Sequence, residues 1–518
     1  VTISSTLIRG ARLVPIGVPA PTDRPVDIRI RAGVVTEVEP VLEPVGDETV
    51  IDAAGRWAVP GLWDQHAHLT WWAQSRSKLD VSGSAGPEDV LRIVGDHVAS
   101  QPGPWRSGAI VGYGFRTATW RQAPTVAMLD TVSGAHPVIL ASGDGHTGWV
   151  NSKALALLGV AHRSGPLLES EWFDLQPQVA ALSAASEDSD LLLRAAVDDA
   201  ASKGIVGVVD FEMAAGYLDW PGRFARGINQ IRIRPVTYPD RLDDVLAAGL
   251  RTGSDLCSAP LPEDDRGHQP GLLTMGPLKI FSDGSLNTRT AYCCDPYTDS
   301  DGTDQSRGHR AYDQQTLEEL LTRGSSGGLR IALHAIGDAA VDQALRAFEA
   351  TGAQGGIEHV QLIRLADIAR MRALGVRASV QPAHLLDDRE VAQQCWADRT
   401  DRCFALGSML RGGVNLALGS DAPVSPLDPR IAMAAAVDRG ADNTTEPWNA
   451  AEALTPAEAL AASTDDQTTV AVGSRGDVVL LDDDPLAAAG TPAQMGAHLR
   501  SLGVAATILA GRPTHLAL

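Results

Sequence analysis

The chain has 518 residues with 43 basic and 64 acidic side chains, and the resulting formal charge of −21 argues against nucleic acid as its main partner. No run of about 18 uncharged apolar residues occurs, and the opening residues alternate apolar positions with Arg and Asp, so neither a membrane span nor a secretory leader is predicted. Five cysteines, an odd number without paired CxxC spacing, point to a reduced, cytoplasmic setting.

Short apolar runs at 6–14, 26–30, 33–38 and 48–52, separated by Pro and Gly, predict the strands of a small β domain. The last residues resume the same idiom at 476–482 and 504–510. Both chain ends are therefore expected in one β-sandwich domain, residues 1–57 and 469–518, with residues 58–468 inserted between them. Within that middle, strand-length runs at 57–62, 204–209, 277–281, 329–333, 355–357, 376–380 and 414–418 are interleaved with Ala/Leu/Arg-rich segments of helical period. This alternation predicts an α/β fold, and about eight such units close into a (β/α)8 TIM-like barrel. Residues at about 80–200 keep the rhythm less well and are read in part as an insertion.

The chemistry-bearing residues fall at the ends of these runs. His66 and His68 lie two apart in an extended segment, so both imidazoles point to one side and can reach one metal ion. His334 closes the run at 329–333, His359 follows 355–357, and Asp421 follows 414–418. In a barrel these positions converge at the carboxyl-terminal mouth, where barrel enzymes keep their active sites. Only four of the 43 basic residues are lysine, at 78, 153, 203 and 279, so Lys279 within the run at 277–281 invites a reason; taken alone it reads as a barrel-interior ion pair with Asp283.

The order His66/His68, Lys279, His334, His359 and Asp421 at successive strand ends resembles the amidohydrolase superfamily of metal-dependent hydrolases. More narrowly, Pro60-Gly-Leu-Trp-Asp-Gln-His-Ala-His68, Asp144-Gly-His-Thr-Gly-Trp-Val-Asn151, Leu278-Lys-Ile-Phe-Ser-Asp-Gly-Ser-Leu286 and His334-Ala-Ile-Gly-Asp338 resemble its YtcJ-like branch, which includes N-substituted formamide deformylases. The likeness spans nearly the whole chain. It implies two divalent transition-metal ions, zinc first and Mn, Fe, Co or Ni as alternatives. By the same resemblance His66 and His68 bind the more buried ion, His334 and His359 the other, and Lys279 bridges them as a CO2-derived carbamate. Asp421 would ligate the first ion and serve as general base and acid for a bridging hydroxide attacking an amide or N-substituted formamide C–N bond. A mononuclear deaminase, an ester, lactone or carbamate hydrolase, and a non-catalytic binding protein stay open as alternatives.

The substrate is expected to be a small molecule. His146 and Asp144, in a Gly-rich segment, either contact it or stabilise a turn. His384, just past the run at 376–380, either faces the mouth or covers it, and Arg289 either binds a substrate carboxylate or forms a loop salt bridge. Trp72, with its neighbour Trp71, either walls the site for aryl or alkyl groups or packs the loop onto the barrel. Glu358 is read as structural. An exposed edge of the β domain would allow a homodimer.

Overall fold

The computed structural model describes residues 5–17, 24–100, 108–117, 120–184, 189–257, 271–300, 304–440, 446–487 and 490–518. Its strands, in chain order, begin with β1 (Ser5–Leu13), β2 (Val26–Arg31), β3 (Val34–Glu39), β4 (Thr49–Asp52), β5 (Trp57–Pro60) and β6 (Leu62–Ala67). There follow β7 (Leu79–Asp80), β8 (Ile110–Phe115), β9 (Val138–Ser142), β10 (Thr147–Val150) and β11 (Leu167–Leu168). The middle of the chain supplies β12 (Ile205–Asp210), β13 (Arg232–Pro235), β14 (Leu278–Phe281), β15 (Ile331–Ala335), β16 (Gly355–His359), β17 (Arg377–Val380) and β18 (Leu416–Leu418). The last are β19 (Val478–Leu481), β20 (Val504–Leu509) and β21 (Arg512–Leu516).

The chain ends meet in one eight-stranded sheet ordered β21-β20-β19-β5-β1-β2-β3, with β4 paired to β1. Its inner face carries Ile8, Ile28, Ile30, Val478, Leu480 and Ile508 in one apolar cluster. The apolar run at 57–62 turns out to serve two sheets. Residues up to Pro60 pair with β19, the chain breaks at Gly61, and β6 starts the central sheet. Any Cβ at Gly61 would stand 2.3 Å from Val206, so only glycine lets the two sheets meet there.

The centre consists of parallel strands in two sheets, β13-β12-β6 and β14-β15-β16-β17-β18. Parallel bridges span both seams, Thr237 to Leu278 on one side and Ala67 to Ala422 on the other. Helices separate the successive strands, among them Asp338–Thr351 after β15 and Leu365–Leu374 after β16. This is a TIM-barrel-like α/β fold. Strands buried on both faces read as continuous apolar runs rather than alternations, which is why Ile331-Ala-Leu-His-Ala335 is buried throughout. Strand β13 escaped the sequence reading because Arg232 and Arg234 interrupt it; their charges are matched by Asp477 and Asp465, far along the chain. The segment between β6 and β12 carries its own five-stranded sheet, β11-β10-β9-β8-β7. All five cysteines are free thiols. No helix among the described residues is long and apolar enough to cross a membrane.

Candidate metal centre

The site is assembled where the parallel strands end. His66 lies in β6 and His68 immediately precedes the helix Leu69–Ser75. The start of that helix is fixed by Asp210, which accepts hydrogen bonds from the Leu69 amide (3.1 Å) and the Trp220 indole (2.7 Å). Asp64 ties two loops together, accepting from the backbone amides of His66 (3.0 Å) and Ser420 (3.1 Å). The Asp421 amide then donates to the His66 carbonyl at 2.6 Å. Asp421 and His359 both adopt positive φ, 56° and 77°. Such conformations cost about 1–3 kcal/mol each and persist where the surroundings enforce them, commonly at functional sites.

The result is a close cluster of nitrogen and oxygen ligands. Asp421 Oδ1 lies 3.3 Å from His68 Nε2 and 3.5 Å from His66 Nε2. The candidate ligand atoms of His66, His68 and Asp421 lie within 4.8 Å of one another, as do those of His359, His384 and Asp421. His384, expected to contact substrate, thus joins the second group in place of His334. The Nε2 of His334 faces the Gly284 carbonyl (3.2 Å) and Asp283 (3.3 Å), while its Nδ1 has no hydrogen-bond partner. Asp283 itself accepts from the amides of Tyr292, Ile336 and Gly337.

Two imidazoles are oriented for a cation by partners on their other nitrogen. Glu358 Oε2 lies 2.7 Å from His66 Nδ1, and Gln381 Oε1 lies 2.8 Å from His359 Nδ1. An amide oxygen only accepts, so His359 carries its proton on Nδ1 and leaves the Nε2 lone pair free, and a carboxylate does the same for His66. Glu358 is therefore an orienting partner of His66 and more than a structural residue. It is buried beside His359 at the end of β16, and its carboxylate reaches the His66 ring on β6. Phe211 stacks on the His66 ring with centroids 3.7 Å apart, holding it from one face.

Electrostatics reinforce this arrangement. Burial, then the charges of Lys279 and neighbouring imidazoles, keep His66 neutral well below the usual histidine range. Burial opposes ionisation of Asp421, yet the hydrogen bond from His68 and the imidazoles of His359, His68 and His384 hold its carboxyl below the usual carboxylate range. Lys279 is 1% exposed, lies over the Phe211 and Phe281 rings at 4.8 and 5.0 Å, and its Nζ has no hydrogen-bond partner. Burial lowers its pKa to about 8. The ion pair with Asp283 that sequence allowed is absent, because Asp283 is spent on backbone amides and His334.

One cavity, open to solvent, is lined by His66, His68, Lys279, His334, His359 and Asp421. Asp144, His146 and His384 also line it. Asp144 accepts from the Ser142 hydroxyl and the His146 amide, and His146 Nδ1 lies 2.8 Å from Glu169 Oε2. Burial disfavours a charged His146, but that Glu169 contact outweighs it and raises the pKa to about 9. Trp72 and Arg289 are corrected by the structure. On the helix Leu69–Ser75 adjacent side chains diverge by about 100°. Trp71 consequently lines the cavity, while Trp72 packs against the barrel core beneath Arg76 and Lys203. Arg289 is held by Asp299 (3.0 Å) and the Asn287 carbonyl, and Arg116 is the guanidinium that reaches the cavity wall. Arg116 follows Gly112-Tyr-Gly-Phe115, a segment whose location in space no local pattern disclosed.

Residues 49–515 match the family described as the amidohydrolase family, and the chain belongs to it. That membership makes it a hydrolase. It is 29% identical to the Protein LONG AFTER FAR-RED 3 of Arabidopsis thaliana, over 81% of this chain and 75% of that one. It is 27% identical to the putative amidohydrolase YtcJ of Bacillus subtilis (strain 168), with 89% of each chain covered. The N-substituted formamide deformylase of Arthrobacter pascens is 28% identical, with 88% of each covered. Among solved structures, an uncharacterized metal-dependent hydrolase from Pyrococcus horikoshii OT3 shares the fold, with a TM-score of 0.74 at 23% identity over 93% of this chain and 98% of that one.

Proposed function

We propose that the chain is a binuclear metal-dependent amidohydrolase that cleaves the C–N bond of an amide or N-substituted formamide. It would do so at the mouth of a closed (β/α)8 barrel, with residues 1–57 and 469–518 forming a β-sandwich beside it. The carrying observation is Lys279: a buried amine without a hydrogen-bond partner, in a cavity lined by His66, His68, His334, His359 and Asp421. An unpaired buried ammonium is costly, whereas a carbamate on the same nitrogen offers anionic oxygens to cations. The donors fit the group. His66, His68 and Asp421 would hold one ion; His359, with His334 or His384, would hold the other; Lys279 as carbamate would bridge them.

Divalent cations bound there would activate a water molecule near neutral pH and polarise the acyl oxygen of the substrate. Asp421 faces His68 and His66 from a position that lets its carboxylate take the proton of the attacking water and return it to the leaving nitrogen. Glu358 and Gln381 fix the rings of His66 and His359 throughout. Trp71, Phe173, Phe281 and Leu286 give the cavity apolar wall for an N-substituent. The amide bond is favoured over esters by similarity to the Arthrobacter pascens deformylase.

Chelator-treated protein reloaded with zinc, manganese, cobalt or nickel should hydrolyse members of a panel of N-substituted formamides and simple amides, and lose that activity again on chelation. Turnover confined to matching esters or lactones would overturn the bond assignment. Ammonia released without an acyl product would indicate a deaminase.

A further inference from the structure

The wall of the cavity formed by Gln361, Asn287, Asp387 and Asp388 has no part in the metal chemistry described above; Gln361 and Asp388 are buried polar groups, Asn287 is half-buried and Asp387 exposed at the rim. Asp388 is 5% exposed and lies on the helix His384–Cys395. Its partners are two amide nitrogens, Gln361 Nε2 at 3.1 Å and Asn287 Nδ2 at 3.5 Å. Because Gln361 turns its NH2 towards the carboxylate, its Oε1 is left as a free acceptor; that residue is 4% exposed, and the oxygen has no hydrogen-bond partner. Burying an acceptor without a donor is unfavourable, so a donor from a ligand is the natural complement.

The cations nearby are committed elsewhere. Arg116 is bound to Asp387 (2.9 Å) and to the Val424 carbonyl (3.1 Å), and His146 to Glu169. Asp144 adds a further carboxylate to the lining. Burial pushes the Asp388 carboxyl up to about 7, with Arg116 opposing and Asp387 and Asp144 reinforcing the rise. The wall therefore combines a carboxyl short of positive partners with an unsatisfied amide oxygen, beside the apolar faces of Trp71 and Phe173.

We propose that this wall is a specificity subsite for a cationic, donor-bearing group of the substrate, an alkylammonium or arylalkylammonium, held by Asp388 and Gln361 Oε1. The inference takes from the proposed function only that this cavity receives the substrate. It selects amine-bearing acyl-nitrogen compounds over neutral ones of the same shape.

The test is calorimetric binding to the metal-loaded protein of two probes of equal size, benzylammonium and neutral benzyl alcohol, which needs no turnover and so stands apart from the bond assignment. Benzylammonium should bind about tenfold or more tightly than benzyl alcohol, as expected when a charge-assisted hydrogen bond replaces a neutral one. In Asp388→Asn, which preserves shape, that preference should vanish. In Gln361→Leu, which removes no charge but takes away the free acceptor together with the Nε2 donor to Asp388, the affinity for benzylammonium should fall about fivefold, the size of one ordinary hydrogen bond. Equal binding of the two probes by the unaltered protein would overturn the proposal. So would a preference that persists in Asp388→Asn, because the amine would then be coordinating the metals. Should Asp388→Asn not fold, an unchanged affinity in Gln361→Leu overturns it instead.

Discussion

Replacing Asp421 with asparagine is expected to lower kcat by about two to four orders of magnitude, the usual worth of a positioned general acid–base group, while most of the bound metal stays in place. The side chain keeps its shape, and one oxygen can still face His68 and His66, so the histidine ligands retain their arrangement. What disappears is a carboxylate held ionised by the surrounding imidazoles. Neither the proton of the attacking water nor its return to the leaving nitrogen can then be handled, and KM should change much less than kcat. Steady-state kinetics with metal analysis of the same sample check this. Near-normal turnover in a metal-replete Asp421→Asn protein would remove Asp421 from the chemistry.

Lys279→Ala is expected to lose about one metal ion per chain and nearly all activity, since binuclear sites depend on their shared ligand. A second expectation separates this from simple unfolding. Lys279 Nζ makes no hydrogen bond, so its removal breaks none and costs only the packing over Phe211 and Phe281; the metal-free variant should still fold cooperatively and melt only modestly below the metal-free parent. The space left between Phe211 and Phe281 is open to a small anion, so acetate or propionate should restore part of the metal content and part of the rate. Retention of the full metal complement without added acid would contradict the bridging role.

The sequence carried the site further than it carried the surroundings of the site. Strand-length apolar runs ending in His or Asp are a local pattern, and the parallel pairing of β14 to β18 brings their ends to one side. Contacts that depend on direction or on distant partners were not legible. Which of Trp71 and Trp72 faces the cavity is settled by where the helix Leu69–Ser75 begins, and that is set by Asp210 from another strand. Arg289 looked available until Asp299 was placed beside it, and Arg232 and Arg234 hid a strand because Asp477 and Asp465 follow more than two hundred residues later. The role of Glu358 is hidden for a related reason: its partner His66 lies on β6, nearly three hundred residues earlier, and the positive φ of His359 breaks the alternation that local pattern assumes. The single break at Gly61 likewise looked like the interior of one apolar run, because the Val206 side chain that demands it lies on β12.

The most direct test of the binuclear hydrolase is elemental analysis of protein purified without chelators, together with its intact mass under native conditions and again after acid treatment. About two transition-metal ions per chain, with the mass of one CO2 present before acid and lost after it, is the result the structure leads us to expect. A folded protein that binds no divalent metal even after reconstitution with bicarbonate would contradict it.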